Sequence, residues 1–284
     1  MKRYCGRDFS AQEFEQIRCL IHDNPGFHRA DLSREVCRML RWLKPDSDLK
    51  QMSCRVAMLR MHEDGLIKLP PPRRTKPTPR PFKPSSATDP RVPITAPVHQ
   101  LGHLPLELVD KGSSKRWNEY IERYHYLGYT PLPGAQLRYF VTVNHQPIAL
   151  LGFGAAAWQT APRDQFIGWN RQQRERNLHY LVNHARFLIL PWVKSKNLAS
   201  KILGMAARQL PDDWESRYCI RPVLMETFVE TDRFTGTCYK AANWIYVGKT
   251  KGRGKLGPAG KQSVPIKDLW LYPLHRRFRS SLTQ

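Results

Sequence analysis

Apolar residues recur at helical intervals through the first seventy positions. In AQEFEQIRCLI, Phe14, Ile17, Cys19, Leu20 and Ile21 fall along one face, and RADLSREVCRMLRW repeats this with Leu32, Val36, Cys37, Met39 and Leu40. After a polar break at KPDSD, the stretch from Leu49 to Met61 carries the period through Met52, Val56 and Leu59, and GLIKLP closes with a glycine and a short strand-like run. Three helices, a turn and a wing predict a winged helix-turn-helix over residues 1–69. The pattern then stops, because ten prolines between Pro70 and Pro97 remove the backbone donors that helices and ladders need. Residues 70–98 are expected to form an extended, semi-rigid linker.

From residue 99 the periods alternate. WNEYIERYHYLGY reads as a helix ending at Gly128, LRYFVTV and IALLGFGAAAW as a hairpin turning at NHQP, and RNLHYLVNHARFLILPWV as a buried strand. A helix over 197–210 follows with Leu198, Ile202, Met205 and Ala206 inward, then a strand in RPVLMETFV, a short helix in TGTCYKAANW and a last strand in IYVGKT. The fold class is α+β, with a mixed central sheet in a second domain over 99–284 that ends in a basic tail.

Charge changes the picture. Forty-six Lys and Arg face 24 Asp and Glu among 284 residues, a net charge of +22, while 41% hydrophobic content is too high for a disordered polyelectrolyte. A folded, strongly basic chain attracts polyanions, so DNA is the expected partner. The excess is uneven: 70–98 holds six cations against one acid, and 249–284 holds nine against one. Candidate nucleic-acid contacts are Lys50, Arg55 and Arg60 beside Gln51 and Ser53 on the third helix, Arg73 and Arg74 in the linker, and Lys249, Lys251, Arg253 and Lys255 in KTKGRGK. No apolar run is long enough to span a membrane and the start lacks the apolar stretch of a signal peptide, so a cytoplasmic protein without a membrane partner is expected. Six scattered cysteines without a C-x-x-C pair indicate neither a zinc site nor a disulfide framework.

Candidate chemistry gathers where VLMETFVETDRF runs out. Glu226 and Glu230 share a strand face by its period of two, and paired carboxylates either hold a divalent metal or divide into acid and base; salt bridges to Arg186 or Arg233 are the structural alternative. His125, among Tyr124, Tyr126 and Tyr129, is a candidate acid or base whose aromatic neighbours suit stacking on an unpaired base. The helix start at Lys194, Lys196, Ser200 and Lys201 suits a phosphate.

The order hairpin, strand, helix, strand, short helix, strand is similar to the GNAT acyltransferase fold, which splays two central strands to admit a pantetheine arm. In KSKNLA, the resemblance sets Lys194, Asn197 and Ala199 on the family's R-x-x-G-x-G/A pyrophosphate turn, with Asn197 departing from glycine, and makes acyl-CoA the implied cofactor. It sets Tyr239 of YKAANW on the tyrosine that can protonate a leaving thiolate. HYLGY at 125–129, FLILPWVKSKNLAS at 187–200 and ETFVETDRFTGTCYKAANWIYVGKTKGRGK at 226–255 resemble the DruA-like family, named for the Druantia anti-phage system and also found near mobile elements, with an added similarity to phage Mom-type DNA-modification acyltransferases. The resemblance implies a role on DNA in phage defence or a mobile element, alongside other proteins of such a system.

The leading expectation is a DNA-acting protein that modifies an exposed base, with Glu226 or Glu230 as general base, Tyr239 as acid and Lys194 with Ser200 as phosphate cradle. Two alternatives stay open: metal-dependent strand cleavage by Glu226, Glu230 and Asp164, and a non-catalytic DNA-binding subunit that recruits other defence proteins.

Overall fold

Ser10 starts the first helix. Its hydroxyl accepts the Glu13 N–H at 3.2 Å while Glu13 accepts the Ser10 N–H at 2.8 Å, satisfying two end donors reciprocally. This is seen in a computed structural model that describes residues 1–73, 82–252 and 264–284 and divides into two units, Met1–Phe82 and Lys83–Gln284.

The first unit holds a hairpin of β1 (Lys2–Tyr4) and β2 (Arg7–Phe9), followed by α1 (Ala11–Asp23), α2 (Arg29–Met39) and α3 (Gln51–Glu63). The helices close on Phe9, Ile17, Leu32, Val36 and Met58, each buried side chain contributing roughly 1.5–3 kcal/mol of transfer free energy. Two expectations change here. The hairpin sits before the helices, and the stretch after Gly65 forms no strand: Arg18 Nε donates to the Leu66 carbonyl, and His62 Nδ1 lies 3.2 Å from the Ile67 carbonyl and 3.4 Å from the Leu69 nitrogen, in place of a ladder. On α3 the core face is Cys54, Ala57, Met58 and Met61, whereas Met52, Val56 and Leu59 are exposed. MSCRVAMLRM is apolar all round, and the small Cys54 and Ala57 are the residues that go inward.

The second unit is built on a seven-stranded mixed sheet in the order β3-β4-β5-β6-β7-β9-β8. In chain order its elements are β3 (Leu106–Leu108), α4 (Ser114–Tyr124), β4 (Gln136–Val143), β5 (Gln146–Ala155), α5 (Ala161–Ile167), α6 (Arg171–Asn177) and β6 (Leu181–Ile189). Then come α7 (Leu198–Tyr218), β7 (Leu224–Glu230), α8 (Thr237–Ala241), β8 (Ile245–Lys249), β9 (Lys267–Pro273) and α9 (Phe278–Leu282). Among the described strands of this sheet only β6 and β7 pair in parallel, and their pairing ends at Asn183↔Glu226 although both strands run on. Beyond that point the sheet is split, as the acyltransferase resemblance implies. A bulge sits at the same level: Gly152 opposes Arg186 and Phe153 opposes His184, leaving Ala185 as the extra residue.

Two further expectations change. Residues 264–284 are no basic tail, because DLWLYP supplies Leu269, Trp270 and Leu271 to a strand inserted between β7 and β8, and α9 buries Phe278 and Leu282. The linker also ends early. Ser85 and Thr88 donate to the Glu119 carboxylate, and Ile94 forms a parallel bridge with Val193, so 83–98 belongs to the second unit. Proline density hid this, since serine, threonine and isoleucine between the prolines supply the contacts.

Candidate functional site

At the open end of the split, the end of α4, the bulge of β6 and the end of β7 bring their polar residues together. His125 stacks on Tyr126 at 4.9 Å between ring centroids, Phe234 meets Tyr126 edge-on at 5.3 Å, and the Arg233 guanidinium lies 5.2 Å above the Tyr126 ring. Arg233 Nε also donates to Glu230 Oε1 at 3.0 Å. Tyr126 and Phe234 are 37% and 49% exposed, so this end presents two aromatic rings to solvent, with a cation over the first. Glu230, His125 and Tyr239 are buried behind them.

Protonation follows from burial. The Leu127 N–H donates to His125 Nδ1 at 3.2 Å, so the neutral ring carries its proton on Nε2. Burial, with the Arg186 charge beside it, pushes the His125 pKa down to about 4. Behind it His184 is enclosed by Phe153, Phe187, Tyr239 and Trp244, neither of its ring nitrogens is hydrogen-bonded, and burial pushes its pKa down to about 3. Both histidines are neutral at pH 7. Because the unfolded chain protonates near 6.5, it binds more protons than the fold between that pH and about 3–4, so folding stability rises with pH through this window and is lost on acidification. Denaturant melts at pH 7.0 and 4.5 should show a smaller acid loss for His184→Phe than for wild type; an unchanged loss would contradict the neutral, buried ring.

Tyr239 reaches the split from the other side. Its hydroxyl lies 3.5 Å from Thr227 Oγ1, which donates to the His184 carbonyl at 3.0 Å, and burial holds the phenol protonated well above its usual range. Gly236, at the start of α8 with φ +72°, permits this packing, since a Cβ there would stand 2.9 Å from the Trp270 ring.

Glu226 is not part of this cluster. It is fully buried, accepts the Ala157 N–H at 2.7 Å and pairs with the fully buried Arg163 at 2.9 Å. Desolvation raises its pKa, against the pull of Arg163. Asp164 is held in the same network by Arg163, Arg174 and Trp169. Glu226 and Glu230 therefore have different partners, and neither the paired acid and base nor the Glu226, Glu230 and Asp164 metal set is assembled. Among the described residues no group of three His, Cys, Asp or Glu side chains is placed to hold a metal ion.

The turn before α7 fits a pyrophosphate poorly. Asn197 does adopt the left-handed backbone, φ +64°, that the family's glycine would supply. However, the Lys194 N–H donates to the Ile94 carbonyl at 2.8 Å, and the Lys196 carbonyl accepts the Val98 N–H at 3.4 Å. Ser200 Oγ bonds the Asn197 carbonyl, and Ala199 lies in the first helical turn. Phe187, His184, Tyr239 and Trp244 are in mutual ring contact inside the split, where a pantetheine arm would lie. The residues present do not fit acyl-CoA.

Among the predicted cations, Lys249 is paired with Asp268 at 3.1 Å, and Lys251 is exposed. Arg74, Arg253 and Lys255 lie outside the described residues. In the first unit, Arg55 and Arg73 line a groove of about 530 Å³ with Arg29 and Arg34 at the start of α2, whereas Lys50 and Arg60 flank Cys5 elsewhere. The outward face of α3 is thus mixed, with Met52, Val56 and Leu59 among the arginines.

Sequence reasoning placed His125, Glu230 and Tyr239 here and missed His184, Phe234 and the role of Arg186. The signal for the first and last is NHARF, two basic residues two positions apart in an otherwise apolar strand. No helix among the described residues is long and apolar enough to cross a membrane.

No curated protein matches the chain significantly. Among solved structures, it is similar to an N-acetyltransferase from Staphylococcus aureus Mu50 (7% identity over 61% of this chain and 99% of that one, TM-score 0.40). A GNAT-family acetyltransferase from Streptococcus pneumoniae (9%, 61% and 100%, TM-score 0.40) and a Vibrio cholerae spermidine N-acetyltransferase chimera (11%, 64% and 99%, TM-score 0.40) are alike to the same degree. Likenesses this distant carry no weight for activity. Residues 61–264, which include the clustered His125, Arg186, Glu230 and Tyr239, match the family described as Druantia protein DruA, and the chain belongs to that family.

Proposed function

We propose that this protein acts on nucleic acid in phage defence, holding an unstacked base of a single strand at the open end of the β6/β7 split while the first unit and the basic linker engage duplex. The observation that carries this is the exposed, edge-on pair Tyr126 and Phe234, with the Arg233 guanidinium over the Tyr126 ring. Rings at a cationic rim are the platform on which bases stack regardless of sequence. Behind them, His125 Nε2–H is a donor and the Glu230 carboxylate an acceptor, which suits a base edge that offers both. Arg29 and Arg34 of α2 with Arg55 of α3 and Arg73 line one groove, which supports phosphate contacts to duplex.

The test is a fluorescence-anisotropy titration of labelled duplex and of single-stranded oligonucleotides from 50 to 200 mM salt. About four neutralised phosphates require duplex affinity to fall roughly a hundredfold over that range. Binding of neither probe at 50 mM, or affinity indifferent to salt, would overturn the proposal.

A further inference from the structure

Arg186 stands out among the arginines of the second unit. It leaves the bulge of β6 half-buried, and its Nε is buried without a hydrogen-bond partner. Among the described residues the guanidinium makes one hydrogen bond, from Nη1 to the Ala185 carbonyl at 2.8 Å, and no carboxylate pairs with it. The other buried arginines contrast sharply: Arg163 has Glu226 and Asp164, and Arg174 has Asp164. Glu230, the carboxylate of this cluster, is engaged by Arg233. A partly desolvated guanidinium without a counter-anion is costly, and planar donors of this kind match phosphate oxygens.

The backbone is arranged to put the charge there. A Cβ on Gly152 would stand 3.2 Å from both the Arg186 Cβ and the Trp117 ring, so glycine lets β5 pass beneath the bulge without pushing either neighbour aside. Arg186 lies on the stretch of β6 beyond Asn183↔Glu226, where the strand has parted from β7, and Tyr126 meets Phe234 and Arg233 just past the end of β7, so the guanidinium and the rings belong to the same open end of the split.

We infer that Arg186 is an anion-binding residue of this site and takes one phosphodiester of the strand whose base lies against Tyr126 and Phe234. The inference deepens the proposed function and rests on its placing of a nucleotide at the split.

The test uses the full chain, a labelled ten-nucleotide single strand, and versions of it with one neutral methylphosphonate at each linkage in turn. Arg186→Gln should weaken binding of the unmodified strand at least tenfold, with Arg186→Lys recovering part of the loss and duplex affinity changing less than threefold. At one linkage the methylphosphonate should weaken wild type to the same extent and leave Arg186→Gln unaffected. Equal sensitivity of wild type and Arg186→Gln at every linkage would overturn the assignment, as would unchanged affinity of a folded Arg186→Gln chain. Should the Gln variant melt below assay temperature, the linkage scan on Arg186→Lys decides in the same way. Displacement of the strand by inorganic phosphate alone would make this a free-phosphate site and overturn the strand assignment. Loss of the Arg186 effect with a retained Tyr126→Ala effect would leave the proposed function standing, whereas duplex binding without single-strand binding would sink both.

Discussion

Replacing Arg163 with alanine is expected to lower folding stability by about 3–5 kcal/mol, because it leaves the Glu226 carboxylate fully buried without its cation. Asp164 loses a partner in the same step. Removing both charges together, as Arg163→Met with Glu226→Leu, should recover most of that loss, since a buried ion pair contributes little over well-packed apolar residues of similar size. Denaturant melts of the three chains measure this directly. A loss below about 1 kcal/mol for Arg163→Ala, or an intact fold with abolished single-strand binding in Glu226→Gln, would return Glu226 to the site from which its contacts exclude it.

The second large effect belongs to the aromatic platform. Base–aromatic stacking is worth about 1–3 kcal/mol per base, so Tyr126→Ala combined with Phe234→Ala should weaken single-strand binding about thirtyfold or more. Tyr126→Phe should retain most of the affinity, because the ring face rather than the hydroxyl meets the base. Duplex binding should change less than threefold. Both rings are exposed, so their removal costs little core packing and the comparison stays interpretable. Equal losses on single strand and duplex would instead indicate a general electrostatic or folding effect.

Much of the second unit was legible because its apolar runs have different periods. LRYFVTV and IALLGFGAA alternate or run apolar as paired strands, and Leu198, Ile202 and Ala206 mark the buried face of α7. The unit's last strand was hidden by its setting, since LWLY is four residues long and lies in a stretch of nine cations. On α3, Met52 and Val56 are as apolar as the residues that are buried, and local period alone could not choose between faces.

The site divides along the same line. Glu230, His125 and Tyr239 are polar or aromatic residues at element ends and could be picked out one by one. What separates Glu226 from Glu230 is Arg163, sixty-three positions earlier in the chain, and strand alternation carries no information about that contact. Arg186 is the converse case: no carboxylate among the described residues pairs with it, which only the folded neighbourhood reveals.

The most direct measurement is photocross-linking of a single strand carrying a halogenated uracil at one position, followed by mass spectrometry of the attached peptide. A cross-link on the segment containing Tyr126 or on the segment containing Phe234, lost in the Tyr126→Ala, Phe234→Ala chain, is the result the account predicts. Attachment confined to the first unit, or undiminished when both rings are removed, would contradict it.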